Sequence, residues 1–119
     1  MNTQEIDTVC FSDPYLSNHF RGTRPIDCLP QCQNGAYIIN LSDSKSEGSH
    51  LVAAHVTHNK IEYLDSYGNP APVALKHWGK NYIWHENPYT FQSPFTAVCA
   101  QYCIYFLTQR ARDISYESV

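Results

Sequence analysis

Cys99 has the setting that most invites chemistry. From Val98 to Arg112 the chain holds no Gly or Pro, and the first half of that stretch is apolar on every side. Such a composition predicts a buried helix, with Thr96 as its N-cap and Arg110 and Arg112 suited to the dipole at its far end. Cys99 then lies in the first turn, where the dipole and unpaired N–H groups favour the thiolate, the form that attacks carbonyls. Cys103, one turn further on and on the same face, is expected in the core. A thiol nucleophile needs a base and a group that orients the base. His50 and Asp65 can supply both if a hairpin turns at His58-Asn59, so that Thr57 pairs with Lys60 and Val52 lies opposite Asp65. His50 shares the face of Val52, because strand side chains alternate. The two residues then form a diagonal pair within side-chain reach, and a one-residue slip would separate them. Gln92, seven residues before Cys99, offers a side-chain amide that could hold an oxyanion together with the Cys99 N–H.

Each residue also has a plainer role open to it. These are an inert buried thiol, a surface histidine at a strand start, an aspartate capping the turn before Ser66 and Gly68, and a polar loop glutamine.

The elements that must position these groups can be read from periodicity. Ala36 to Leu41 is β-branched and aromatic and reads as a buried strand, followed by a polar loop from Ser42 to Ser49. His50 to Val56 reads as the second strand and Ile61 to Asp65 as the third. Thr57-His58-Asn59-Lys60 forms the tight turn between them, with Asn59 able to adopt a left-handed conformation. Val73 to Trp78 suits a short helix and Tyr82-Ile83-Trp84 a short strand. Residues 1–35, with Pro14, Pro25, Pro30, Gly22 and Gly35, read as loops with room for one short helix, packed by Phe11, Tyr15, Phe20, Ile26 and Leu29.

A length of 119 residues with 43% hydrophobic side chains suits one globular domain spanning 1–119. The formal charge of -3 and the lack of a Lys/Arg block argue against a dedicated nucleic-acid surface. No apolar run approaches a membrane span, and Met1 to Val9 lacks a signal-peptide layout. A soluble, intracellular protein is expected. Five Cys is an odd count, which leaves at least one free thiol within the chain. Cys10, Cys28-x-x-x-Cys32 and the pair His55/His58 could offer soft metal ligands. Their spacing is not that of a zinc finger, and Pro30 interrupts it. Neither a metal nor a cofactor is expected.

Taken in order, these pieces resemble the adenovirus protease (adenain) family and its relatives, the Ulp/SENP ubiquitin-like-protein proteases. The family pattern is a Gly-x-His-Trp strand start, an Asp/Glu-x-x-Gly turn, a Gln, and Cys-Gly-x-x-Cys opening a helix. Here the stretches are Gly48-Ser49-His50-Leu51, Asp65-Ser66-Tyr67-Gly68, Gln92, and Cys99-Ala100-Gln101-Tyr102-Cys103. Asp13-Pro14-Tyr15, Phe20-Arg21-Gly22 and Asp27-Cys28-Leu29-Pro30 look like the lead-in found in adenovirus-like viruses and virus-like transposons. The likeness runs from about Asp13 to about Leu107.

The resemblance implies a papain-like α+β fold of the circularly permuted adenain/Ulp type, in which a central helix bears the nucleophile and packs on a mostly antiparallel sheet. It implies a cysteine endopeptidase with the triad Cys99, His50 and Asp65 and an oxyanion hole from Gln92 and Cys99. Its substrates would be viral structural precursor proteins, cut at small, Gly-containing sites. A deubiquitinase- or deSUMOylase-like isopeptidase and an inactive peptide-binding relative are the alternatives. Two departures fall at the substrate cleft. Leu51 replaces the Trp after the His and thins the wall over the imidazole, and Ala100 replaces the Gly after the nucleophile and adds a methyl. The resemblance leaves room for an activating peptide. DNA is disfavoured by the acidic balance, and a monomer without membrane attachment is expected.

Overall fold

Two strands and the turn between them form the frame of the site. In the computed structural model, which describes residues 2–42, 50–87 and 99–113, Thr57 pairs with Lys60, and the ladder continues through Ala54↔Tyr63 to Ala53↔Leu64. This is the register expected from the sequence. The left-handed residue of the turn is His58 (φ 46°), not Asn59. The strands are β3 (Leu51–Thr57) and β4 (Lys60–Leu64).

Around them lie α1 (Thr3–Ser12), β1 (Phe20–Pro25), β2 (Gly35–Asn40), α2 (Val73–Trp78), β5 (Ile83–Glu86) and α3 (Cys99–Ala111). A short 3-10 helix, Ile26–Cys28, follows β1. The five strands lie side by side in chain order. The β2–β3 and β3–β4 pairs are antiparallel, whereas β1–β2 and β4–β5 are parallel. The sheet is therefore mixed, not mostly antiparallel. The segment that carries α2 returns the chain to the end at which β4 began, which is what a parallel neighbour requires. The result is an α+β domain built on one five-stranded sheet.

Residues 1–35 are more regular than their Pro and Gly content suggests. Asn2 caps α1 with a reciprocal pair of bonds: its side chain accepts from the Glu5 N–H at 2.8 Å, and Glu5 accepts from the Asn2 N–H at 2.9 Å. Gly35, at φ 149°, opens β2 where a Cβ would lie 2.6 Å from Arg21 Nε and 2.9 Å from the His19 carbonyl oxygen. Only glycine lets β1 approach β2 this closely.

Alternation along the strands divides the core into two layers. Val52, Ala54, Val56, Tyr37 and Tyr63 face α2 and its aromatic neighbours Trp78, Tyr82 and Trp84. Ala53, Ile38 and Leu64 face α1 and α3, meeting Ile6, Cys103, Phe106 and Leu107. Helix α3 is not buried all round. It inserts Cys99, Ala100, Cys103, Phe106 and Leu107, while Tyr105 is exposed. That spacing of three and four residues is the signature of a one-sided helix.

Glu62 ties the two halves together. It is almost fully buried on the α3 face, where its Oε1 accepts from Arg110 Nε at 2.8 Å and contacts His55 Nδ1 at 3.0 Å. Burial disfavours the charge, but the bonds from His55 and Arg110 outweigh it and hold the carboxyl down at about 2. Arg112 makes a second tie, reaching Asp13 Oδ2 at 2.8 Å.

Because the Glu62 pKa is depressed in the folded state, its contribution is present above the ordinary glutamate range and is lost as pH falls toward about 2. Arg110→Ala leaves that buried charge short of its cation. The variant should lose about 2–3 kcal/mol of stability at neutral pH, and its acid unfolding should begin at higher pH. Urea titrations at several pH values check both.

Candidate active site

His50 immediately precedes β3 and Asp65 immediately follows β4, so the hairpin carries both at its open end. The ladder would next pair Val52 with Asp65, which leaves His50 diagonal to Asp65. The side chains meet, with His50 Nε2 at 2.6 Å from Asp65 Oδ1. Asp65 is buried, at 1% exposure, so the contact is shielded from water.

The turn after β4 explains the Asp-x-x-Gly spacing. Gly68 N–H donates to the Asp65 carbonyl at 2.8 Å, and Gly68 takes a positive φ of 76°. Tyr67 N–H donates to Asp65 Oδ1 at 2.8 Å, so one carboxylate oxygen is shared between Tyr67 and His50. The same turn lays the Tyr67 ring against the imidazole, with centroids 4.5 Å apart and planes 27° from parallel. Leu51 in place of Trp implies a thin wall over His50, and the Asp-x-x-Gly pattern gives Tyr67 no part in it. An aromatic ring is present, supplied from two residues beyond the acid. An aspartate that accepts a bond from two residues on is a recognised turn signature, and it was available in Asp65-Ser66-Tyr67.

Cys99 opens α3 beneath the start of β3. The Leu51 N–H donates to its sulfur at 3.4 Å, and the Ala100 N–H adds a further bond. Leu51 and Ala100 therefore reach the thiol through the main chain. Their side chains pack into the α3-side core, Leu51 half-buried and Ala100 buried. His50 Nδ1, the nitrogen not committed to Asp65, is buried without a conventional hydrogen bond among the described residues. Cys99 is the other polar group that acts on the ring.

The two titrations move toward each other. Burial opposes a charged His50, but the bond to Asp65 and the nearby Cys99 sulfur, with their charges, raise it to about 9. Burial also opposes a charged Cys99, but the nearby His50 ring with its charge, the Leu51 N–H and the Ala100 N–H bring it below the ordinary thiol value. A thiolate–imidazolium pair is the state such mutual shifts favour. Cys103, by contrast, is buried and pushed well above the usual thiol range.

The sign of the pH dependence follows. Thiolate persists below the normal thiol range, and His50 keeps its proton until about pH 9. Alkylation of Cys99 by iodoacetamide should stay fast into neutral pH, and His50→Ala should move the rate profile to alkaline pH. A stopped-flow pH series reads this directly.

Gln92 and Thr96 lie outside the described residues, as do Gly48 and Ser49. The residues weighed as metal ligands are divided by the sheet. Cys10 is buried on the α3 side, Cys32 packs on the opposite side, and Cys28 is exposed. His55 is engaged by Glu62. Among the described residues no group of three His, Cys, Asp or Glu side chains is placed to hold a metal ion.

No protein-family model matches the chain, and no curated protein matches it. Solved structures do. The crystal structure of ASFV pS273R protease is similar with a TM-score of 0.51 and 19% identity, over 69% of this chain and 34% of that chain. A selenomethionine crystal structure of that protease gives a TM-score of 0.49 and 19% identity, over 69% of this chain and 36% of that one. The chain thus spans about a third of the length of these solved chains. What the first of them shares with this chain is the fold: an α+β domain with a mixed sheet, similar to part of a protease.

Proposed function

We propose that this chain is a cysteine endopeptidase domain of the adenain/Ulp type, with Cys99 as nucleophile, His50 as acid and base, and Asp65 as the group that orients His50. The observation that carries the reading is the 2.6 Å contact of His50 Nε2 with the buried Asp65, with the Cys99 sulfur held at 3.4 Å by the N–H of Leu51, the residue next to His50. The likeness to a protease fold supports it.

The Cys99 thiolate attacks a peptide carbonyl carbon, and the carbonyl oxygen takes the negative charge. The Cys99 N–H and Gln92 stabilise that oxyanion. His50 then gives its proton to the leaving amine as the C–N bond breaks, leaving a thioester on Cys99. His50 next removes a proton from water, which attacks the thioester, releases the acid and restores the thiol. Asp65 accepts from Nε2 throughout and so holds Nδ1 toward the sulfur. Substrates with small residues, Gly among them, at the scissile bond suit this reading, and viral structural precursors inside the host cell or virion are the proposed targets. Asp rather than Glu at position 65 favours a second reading, an isopeptidase acting on ubiquitin-like proteins.

Profiling the protein against a peptide library, a viral precursor and a panel of ubiquitin-like substrates, with Cys99→Ala as control, tests both. Cleavage of precursor peptides that is lost in the control supports the first reading, and release after Gly-Gly supports the second. A failure of Cys99 to react faster than Cys103 with a thiol-directed peptide probe would sink both readings in favour of an inactive peptide-binding protein.

A further inference from the structure

Asp65 lies one residue beyond the end of β4, and the β4–β5 ladder stops at Tyr63↔Glu86. Its main-chain N–H and C=O are therefore buried without a strand partner to receive them. Asn87, the first residue after β5 and itself buried, supplies a bond to each, beside the Gly68 N–H that also donates to the Asp65 carbonyl. The Asp65 N–H donates to Asn87 Oδ1 at 2.8 Å, and Asn87 Nδ2 donates to the Asp65 carbonyl at 2.7 Å. A primary amide can make this pair of bonds because it carries one acceptor and one donor side by side, as a peptide group does. The side chain continues the sheet by one rung, at the position where the acid must be held.

We propose that Asn87 is the positioning residue of the site: by fixing the Asp65 main chain it sets the carboxylate on His50 Nε2, and through it the orientation of the imidazole toward Cys99. This inference rests on the peptidase reading for its consequence in catalysis, but not for its geometry. Asp65 has no rotameric slack to spare, because its Oδ1 serves Tyr67 N–H and His50 together. A shift of the main chain therefore moves the carboxylate off one partner or the other. The charged groups acting on His50 are Asp65 and Cys99, and Tyr67 covers one face of the ring.

The test is Asn87→Leu, which removes both bonds while keeping the branched side-chain shape, with Asn87→Ser as the milder change should the first fail to fold. The His50 titration is followed by NMR in each variant and in the wild type, beside peptide cleavage and a thermal melt. We expect the His50 midpoint to fall from about 9 toward that of an ordinary histidine. The alkaline limb of cleavage should fall with it, and kcat should drop roughly tenfold or more with KM little changed. A folded variant that melts at lower temperature, yet keeps the wild-type His50 titration and pH profile, would overturn the proposal and leave Asn87 a purely structural residue. If the titration moves as expected while the wild type cleaves no substrate, the positioning role stands and the peptidase reading falls.

Discussion

Cys99→Ala should abolish peptide cleavage, lowering kcat by on the order of 10⁴ or more. No neighbouring thiol can take over. Cys103 shares the helix face but is sealed in the core, and burial keeps its thiol protonated. Cys103→Ala should therefore lose stability, as any cavity in a packed core does, while it retains cleavage. His50→Ala should be nearly as inactive as Cys99→Ala, because one group serves as acid when the amine leaves and as base when water attacks the thioester. The two changes should not add, since they remove parts of one machine. A fluorogenic peptide assay on the two single variants and the double variant checks the whole set. Activity surviving in Cys99→Ala would end the proposed mechanism.

Asp65 offers the second large effect, and its two informative substitutions should differ. Asp65→Ala strips the acceptor from His50 Nε2 and Tyr67 N–H together, so the ring loses both its orientation and its neighbouring charge. A drop in kcat of roughly 10²- to 10⁴-fold is expected, along with a loss of stability from the buried groups left unpaired. Asp65→Asn keeps an oxygen for both partners, removes the charge and turns the other oxygen into an amide donor. It should retain much more activity, and its alkaline limb should fall from about pH 9, because the carboxylate that raises His50 has gone. Equal losses in the two variants, with no movement of the limb, would mean that Asp65 acts through folding alone.

The hairpin was legible because its turn is short and its strands are apolar runs bounded by turn residues. Once Thr57 faces Lys60, every later pairing is determined. The terminal helix was legible for the opposite reason, a long run without a breaker. Strand β1 was not. Phe20-Arg21-Gly22-Thr23-Arg24-Pro25 carries two arginines, a glycine and a proline, and its burial follows no two-residue alternation. An edge strand can afford such a sequence because only one of its sides is paired. Helix α1 left a signal, the Asn2-x-x-Glu5 capping pair ahead of Ile6 and Cys10, but the Pro and Gly downstream left the one short helix expected there without a place. The parallel pairing of β4 and β5 depends on where an intervening helix returns the chain, which no local pattern records. Within the site, the turn that places Tyr67 left a signal in Asp65-Ser66-Tyr67, whereas Asn87 acts on the Asp65 main chain from far along the sequence, which leaves no mark in residue type.

The Glu62–Arg110 pair joins β4, which leads directly into Asp65, to α3, which begins with Cys99. The sulfur therefore sits at the tip of a lever pinned near its far end. At 1.5 Å per residue the arm from Arg110 to Cys99 is roughly 16 Å long. A tilt of only about 5° about the pin would swing the tip by about 1.4 Å, enough to separate nucleophile from base. Whatever loosens that remote anchor, acid or a competing anion, reaches the chemistry as a change of aim.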